Sequence, residues 1–193
     1  LLDKVGCKYE EQFDSKNYYY ADTRENENGI AAARPLWLPA LSKEIDIHDI
    51  NVENIMFAGS IKAVVGMIDN PESQSQYPYY IDFSEFSNLM IVGNQGCGKS
   101  TFIQTILYSM AMNYHSDDVN FYILDFSSGL LHNFMKLPHC GNVAQVDEED
   151  SVNRTIRYLI SVIEERNQIF KKAGVGGFWE FKKISKEPMP LLL

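Results

Sequence analysis

The chain has 193 residues, 45% of them hydrophobic, which is enough for one real core and crowded for two domains. Its 17 basic against 26 acidic residues leave a net charge of −9, which argues against a surface built mainly to hold nucleic-acid phosphates. Cys7, Cys97 and Cys140 are scattered and lack C-x-x-C spacing, so neither a disulfide framework nor a zinc site is indicated and a reducing, cytosolic setting fits. No run approaches the roughly 20 apolar residues of a membrane span, and the first residues lack a basic-then-apolar signal layout, so a soluble piece without a direct membrane span is expected.

Residues 1–33 form a polar N-terminal segment. It reads as a helix-like fragment with Tyr18, Tyr19 and Tyr20, followed by a hydrophilic surface loop over Asp22–Gly29. The tyrosines are expected to pack on the domain, with a docking patch as the alternative. The stretch Arg34-Pro35-Leu36-Trp37-Leu38-Pro39-Ala40-Leu41 is bounded by prolines and predicts an extended strap. A Pro-rich ligand for another module is the other reading.

Ile61–Asp69 reads as a strand, Asn70–Pro78 as a loop, and Tyr79–Phe83 as a second strand near a sheet edge. Leu89-Met90-Ile91-Val92 is a short apolar run of the kind that forms a parallel strand buried on both faces. It runs into Gly93-Asn94-Gln95-Gly96-Cys97-Gly98-Lys99-Ser100-Thr101, a G-x-x-x-x-G-K-S phosphate-binding loop. Glycines let the backbone curl so that successive N–H groups point inward, and the following helix adds the partial positive charge of its N-terminus. Lys99 is placed to reach the β- and γ-phosphates of ATP, and the Ser100 hydroxyl to take one position on Mg²⁺. Cys97 reads as a small filler rather than a nucleophile. Phe102, Ile103, Ile106, Leu107, Met110 and Tyr114 then recur at helical spacing on one apolar face.

Val119–Asp125 reads as another buried strand, with a turn at Ser127-Ser128-Gly129. Ligands gather at the carboxyl ends of strands in such sheets, which puts Asp125 near the phosphate loop. A helix capped by Asp150 or Ser151 is predicted next, with Val152, Ile156, Leu159, Ile160, Ile163 and Phe170 on one face. His139 has no second ligand at metal spacing, so a local structural role is expected. The elements together imply an α/β phosphate-loop NTPase, a mainly parallel sheet flanked by helices.

The motifs form a recognisable series. Trp37-Leu38-Pro39, then Gly66–Pro71 with Gln74, the phosphate loop, Tyr122–Phe126, Leu137–Gly141 and Glu165-Arg166-Asn167 together resemble one ATPase domain of the EssC/EccC proteins, membrane-tethered FtsK/SpoIIIE-type ATPases of type VII secretion. The resemblance runs over about residues 34 to 190, within an expected ATPase domain of residues 34–193, and carries little into residues 1–33. It implies a RecA-like (FtsK/HerA-type) core, ATP and Mg²⁺ as cofactors, and hexameric assembly in the full-length protein. It also implies a place on the cytoplasmic side of the cell membrane within a larger anchored protein, with WXG100-type export substrates and other secretion-system components as partners.

The same resemblance bears on the acid of the magnesium site. By pattern alone Asp125 is the Walker B acid, but in the additional-strand class the Walker B strand follows the next helix. Here Met189-Pro190-Leu191-Leu192-Leu193 resembles the opening of that strand, and the acids expected beyond it are not in the chain. Asp125 thus stays a second-rank candidate, and whether ATP is hydrolysed is left open. Arg154 and Arg157 fall near the family's arginine that reaches a neighbouring subunit's site; a solvated helix position is the competing reading. Asp69 and Gln74 match a family loop before the nucleotide site, where bracing the loop competes with touching the base. Two function classes follow: a motor or regulatory ATPase domain for protein export, or a substrate-binding module that holds ATP structurally with little hydrolysis. A DNA translocase of the FtsK group is a third, against which the acidic balance speaks.

Overall fold

The computed structural model describes residues 37–50, 60–85, 88–127, 129–185 and 187–193. Residues 1–36, and with them the expected packing of Tyr18–Tyr20, lie outside the described residues. The chain divides into two compact units, whose described parts are 37–50 with 65–80, and 60–64 with 81–193.

A hairpin of β1 (Lys62–Asn70) and β2 (Ser75–Asp82) forms a two-stranded sheet. Its second strand begins earlier than the sequence suggested, since Ser75–Pro78 belong to β2 rather than to a long loop. The turn closes locally. The Asn70 side chain accepts from Ser73 N–H, and Gln74 adopts a left-handed backbone (φ 49°), the conformation a non-glycine residue rarely takes. Pro78 is tolerated because a two-stranded sheet consists of edge strands. Residues 38–41 take no regular secondary structure, and this stretch is tied to the hairpin by Leu38 N–H donating to Gln74 Oε1 (2.8 Å) and Gln76 Nε2 donating to the Pro39 carbonyl (2.8 Å); residues 34–36 of the expected strap lie outside the described residues.

The second unit is built on β3 (Val119–Asp125), which pairs in parallel with β4 (Cys140–Gln145) on one edge and with β5 (Leu191–Leu192) on the other. Val119 and Phe121 are fully buried, and Val143 and Ala144 of β4 join them in the core. The strand at 119–125 was legible as a run of apolar residues. β4 was not, because Cys-Gly-Asn-Val-Ala-Gln has little strand propensity and is held by pairing with β3. Its register carries a bulge: Phe121 faces Cys140 and Tyr122 faces Asn142, leaving Gly141 unpaired.

Helix α1 (Lys99–Asn113) begins inside the phosphate-loop motif and buries Ile106, Leu107, Ser109 and Met110. The start of the hairpin is fastened to it inside this unit. Ser109 Oγ accepts from Val64 N–H (2.8 Å), Tyr114 Oη accepts from Lys62 N–H (2.7 Å), and the buried Lys62 ammonium stands 3.5 Å from Asp82. After β3 comes a 3₁₀ segment over Leu130–Lys136, and after β4 helix α2 (Glu149–Ala173). One expectation for α2 fails. Its N-cap is Glu148, not Asp150 or Ser151, with Glu149 and Asp150 in the first turn where the helix dipole favours acids. Of the apolar residues that share one face by spacing, Ile156, Ile160 and Ile163 are 41%, 51% and 53% exposed. The face that meets the sheet instead carries Thr155, which together with Ser151 accepts from Asn142 Nδ2 of β4 (2.6 and 3.1 Å). A short helix α3 (Phe178–Ile184), not predicted, rests Phe181 against Phe170 of α2, ring centroids 5.5 Å apart.

The apolar run Leu89–Val92 is the largest departure from expectation. It forms no ladder, and Met90 and Val92 are 85% and 80% exposed. Apolar composition makes a segment fit for a buried strand but does not supply a neighbour, and 89–92 pair with no strand of the β4-β3-β5 sheet. Among the described residues no helix is long and apolar enough to cross a membrane.

Candidate nucleotide-binding site

The phosphate loop has the geometry its composition predicts. Gly96 (φ 79°) and Gly98 (φ 90°) both sit in the left-handed region, where any other residue would be strained. Gly98 is the N-cap of α1 and supplies no side-chain cap, its carbonyl taking the first helical bond from Phe102 N–H at 2.8 Å. The amides ahead of Phe102 have no intrahelical acceptor by the geometry of any helix start, and the first turn of α1 carries no acid to neutralise them. The result is a set of N–H groups and a positive helix end suited to an anion.

Lys99 folds over this loop, its ammonium donating to the Gly93 (2.9 Å) and Asn94 (2.8 Å) carbonyls. Gly93 has its own requirement: a Cβ there would stand 2.6 Å from Cys97 Sγ. The thiol of Cys97 therefore fills the space over Gly93, in keeping with its reading as a small filler. The loop opens on a cleft of about 460 Å³ lined by Ile91, Val92, Cys97, Gly98, Lys99, Thr101, Phe102 and Thr105. Ser100 follows Lys99 in the first turn of α1, where a hydroxyl can serve as one ligand of a hard cation that keeps its waters. The chemistry of the donors thus fits a nucleotide phosphate with Mg²⁺.

Asp125 ends β3 and is buried. Its Oδ1 accepts from Ser127 N–H (3.0 Å) and its Oδ2 from Leu131 N–H (3.2 Å), so both oxygens brace the loop after the strand. That loop is joined to α1 through Gln104 Nε2, which donates to the Leu130 carbonyl (3.3 Å). Arg154 is exposed and donates to the carbonyl of Asp150 in its own helix, and Arg157 is exposed. His139 is local architecture: Nε2 lies 2.8 Å from the Tyr114 carbonyl, and its ring stacks on Phe121 at 5.9 Å. Among the described residues no cluster of three metal-binding side chains occurs. Asp69 is exposed, while Gln74 spans Leu38 N–H and the Pro71 carbonyl, the bracing role. Gln104 was missed in the sequence because an amide on a helix gives no signal of what it will reach.

Comparisons with known proteins find relatives among the type VII secretion ATPases. EccC of Thermomonospora curvata is 32% identical over 76% of this chain, and EssC of Staphylococcus aureus is 26% identical over 80%, each match covering 11% of the relative. The chain therefore spans about a tenth of these relatives. Among solved structures, the cytoplasmic domain of EssC superposes with a TM-score of 0.60 at 30% identity, over 68% of this chain and 25% of that one. ATPases 2 and 3 of Thermomonospora curvata EccC, solved in complex with a signal sequence peptide, give a TM-score of 0.60 at 30% identity, over 70% and 26%. The phosphate-loop ATPase fold is thereby established, and residues 63–188 match the FtsK/SpoIIIE family, to which this chain belongs.

Proposed function

We propose that this chain binds ATP with Mg²⁺ through Gly93–Thr101 and is an ATPase domain of a type VII secretion ATPase like EccC and EssC. The observation that carries the reading is the loop itself, with two left-handed glycines, an uncapped helix start and Lys99 directly beside them. The nucleotide, once bound, supplies the phosphoryl group whose transfer or mere presence does the work. Lys99 holds phosphate oxygens and Ser100 the metal, while Cys97 keeps the loop backbone in place. Full-length assembly into a hexamer, anchorage at the cytoplasmic side of the membrane, and export of WXG100-type proteins complete the proposal. A signal peptide bound to a related EccC supports direct contact between such domains and their cargo. In a ring, Arg154 is the candidate for the arginine offered to a neighbour.

A second reading has its own support. Both oxygens of Asp125 are engaged by backbone amides, so this acid braces the loop after β3 and does not stand in for a Walker B acid, in keeping with a domain that holds nucleotide with little turnover. Titration with a fluorescent ATP analogue, with and without Mg²⁺, tests binding, and phosphate release on the same preparation separates the two readings. Binding unchanged by Lys99→Ala sinks the assignment. Turnover near one per second by the isolated chain, on the scale of ordinary enzymes at about 1–10³ per second, decides for hydrolysis.

A further inference from the structure

The hairpin unit presents aromatic rings on a backbone that cannot easily give way. Trp37 is 67% exposed although the next residue, Leu38, is hydrogen-bonded to Gln74. Tyr77 and Tyr79, two residues apart and so on one face of β2, are 40% and 51% exposed. Large rings left in water on a fixed frame lose little conformational freedom when something covers them, which is why such rings serve as anchors.

Charge selects what that something is. Within residues 37–50 and 65–80 the acids are Glu44, Asp46, Asp49, Asp69 and Glu72, against Lys43 as the one Lys or Arg. Among the described residues no Lys or Arg forms an ion pair with any of these carboxylates. Nucleic acid and anionic lipid are repelled by such a field, whereas a guanidinium or ammonium gains twice, from the ring faces and from the carboxylates of the same hairpin. We infer that the hairpin unit is a docking surface for a basic polypeptide segment, arginine-bearing by preference, with Tyr77 and Tyr79 on one face of β2 as the stacking platform and Asp69 at the end of β1 and Glu72 in the turn as the counter-charges. Arginine is preferred over lysine because its flat, weakly hydrated head stacks on a ring while still donating to a carboxylate. The proposal does not rest on nucleotide binding.

The test uses the whole chain and a fluorescein-labelled hexa-arginine peptide, followed by anisotropy at physiological ionic strength. Hexa-lysine, hexaglutamate and a neutral Gly-Ser peptide are the comparisons. The charge reversal Asp69→Lys with Glu72→Lys is expected to weaken hexa-arginine binding by at least about tenfold, and Tyr77→Ala with Tyr79→Ala by about three- to tenfold. Glu164→Lys with Glu165→Lys, which changes the net charge equally but lies on α2, is expected to change affinity by less than about twofold. Tyr77→Phe with Tyr79→Phe keeps the rings and is expected to retain binding, and thermal unfolding of the Ala pair at the parent temperature shows that its loss is not a folding defect. Equal weakening by both charge reversals would show diffuse attraction only and overturn the proposal. So would hexaglutamate binding as well as hexa-arginine, or no binding of hexa-arginine at all.

Discussion

The ring of Tyr122 rests on the backbone of Gly141 so closely that a Cβ there would stand 2.5 Å from its Cε1 and 2.7 Å from its Cζ. Gly141 is the unpaired residue of the β3–β4 bulge, so the sheet makes room for the ring by adding a residue with no side chain. Tyr158 of α2 then tilts against Tyr122 at 5.6 Å and couples helix to sheet. Gly141→Ala is expected to destabilise the fold by about 1–3 kcal/mol, the usual cost of overpacking. Thermal unfolding measures it, and Gly141→Ala in a Tyr122→Leu background is expected to cost much less than in the parent chain. Equal costs in both backgrounds would place the strain elsewhere.

The same tyrosine sets a pH limit. Burial, followed by its hydrogen bond with Tyr158, pushes the Tyr122 hydroxyl up to about 12 from the ordinary 10.0. A group whose folded value is raised contributes stability that is whole below its unfolded value and is lost as pH climbs through the folded one. Tyr122 therefore leaves neutral stability untouched and erodes it between about pH 10 and 12. Denaturant midpoints across that window are expected to fall less steeply in Tyr122→Phe than in the parent chain; parallel slopes would refute the assignment.

At the nucleotide site, Lys99→Ala removes a charge-assisted contact of roughly 1.5–3 kcal/mol, and affinity for ATP is expected to fall about 10- to 150-fold. Titration with a fluorescent nucleotide reads this directly. Unfolding temperature should hardly change, because Lys99 is only half-buried and its solvent-exposed bonds go to carbonyls that water can satisfy.

Gly93 gives a sharper test of how the loop is built. In Gly93→Ala the new methyl meets Cys97 Sγ at 2.6 Å, so one of the two must move and the loop amides with it. Nucleotide affinity is expected to drop by about tenfold, a loss of roughly 1.4 kcal/mol. Adding Cys97→Ala removes the sulfur and should restore most of it. Failure of the second change to rescue would mean that Gly93 is needed for its backbone freedom and not for space.

Much of the second unit was legible because single elements carried their own signals. Val119–Asp125 alternates little and is apolar, so it could only be a buried strand, and Gly-Lys-Ser after an apolar run could only open a helix on a phosphate loop. What failed was everything decided by a neighbour. β4 exists because β3 offers it an edge, Leu89–Val92 pairs with no strand although its composition suits one, and Ile156, Ile160 and Ile163 are exposed where Asn142 meets a different side of α2. Periodicity reports that a helix has an apolar stripe, but the contact from Asn142 to Thr155 marks the side that meets the sheet. At the site the loop was read residue by residue, whereas the roles of Asp125 and Gln104 depend on where the loop after β3 folds back, which no local pattern encodes.

Pro78 in β2 has a consequence for how this molecule behaves at high concentration. A two-stranded sheet offers its outer backbone to any passing strand, and runaway stacking of such edges is how soluble chains become fibres. An imide nitrogen in the middle of that edge interrupts the row of donors, and the ring beside it keeps another backbone at a distance. The hairpin can therefore display its tyrosines to the solvent without seeding a larger sheet.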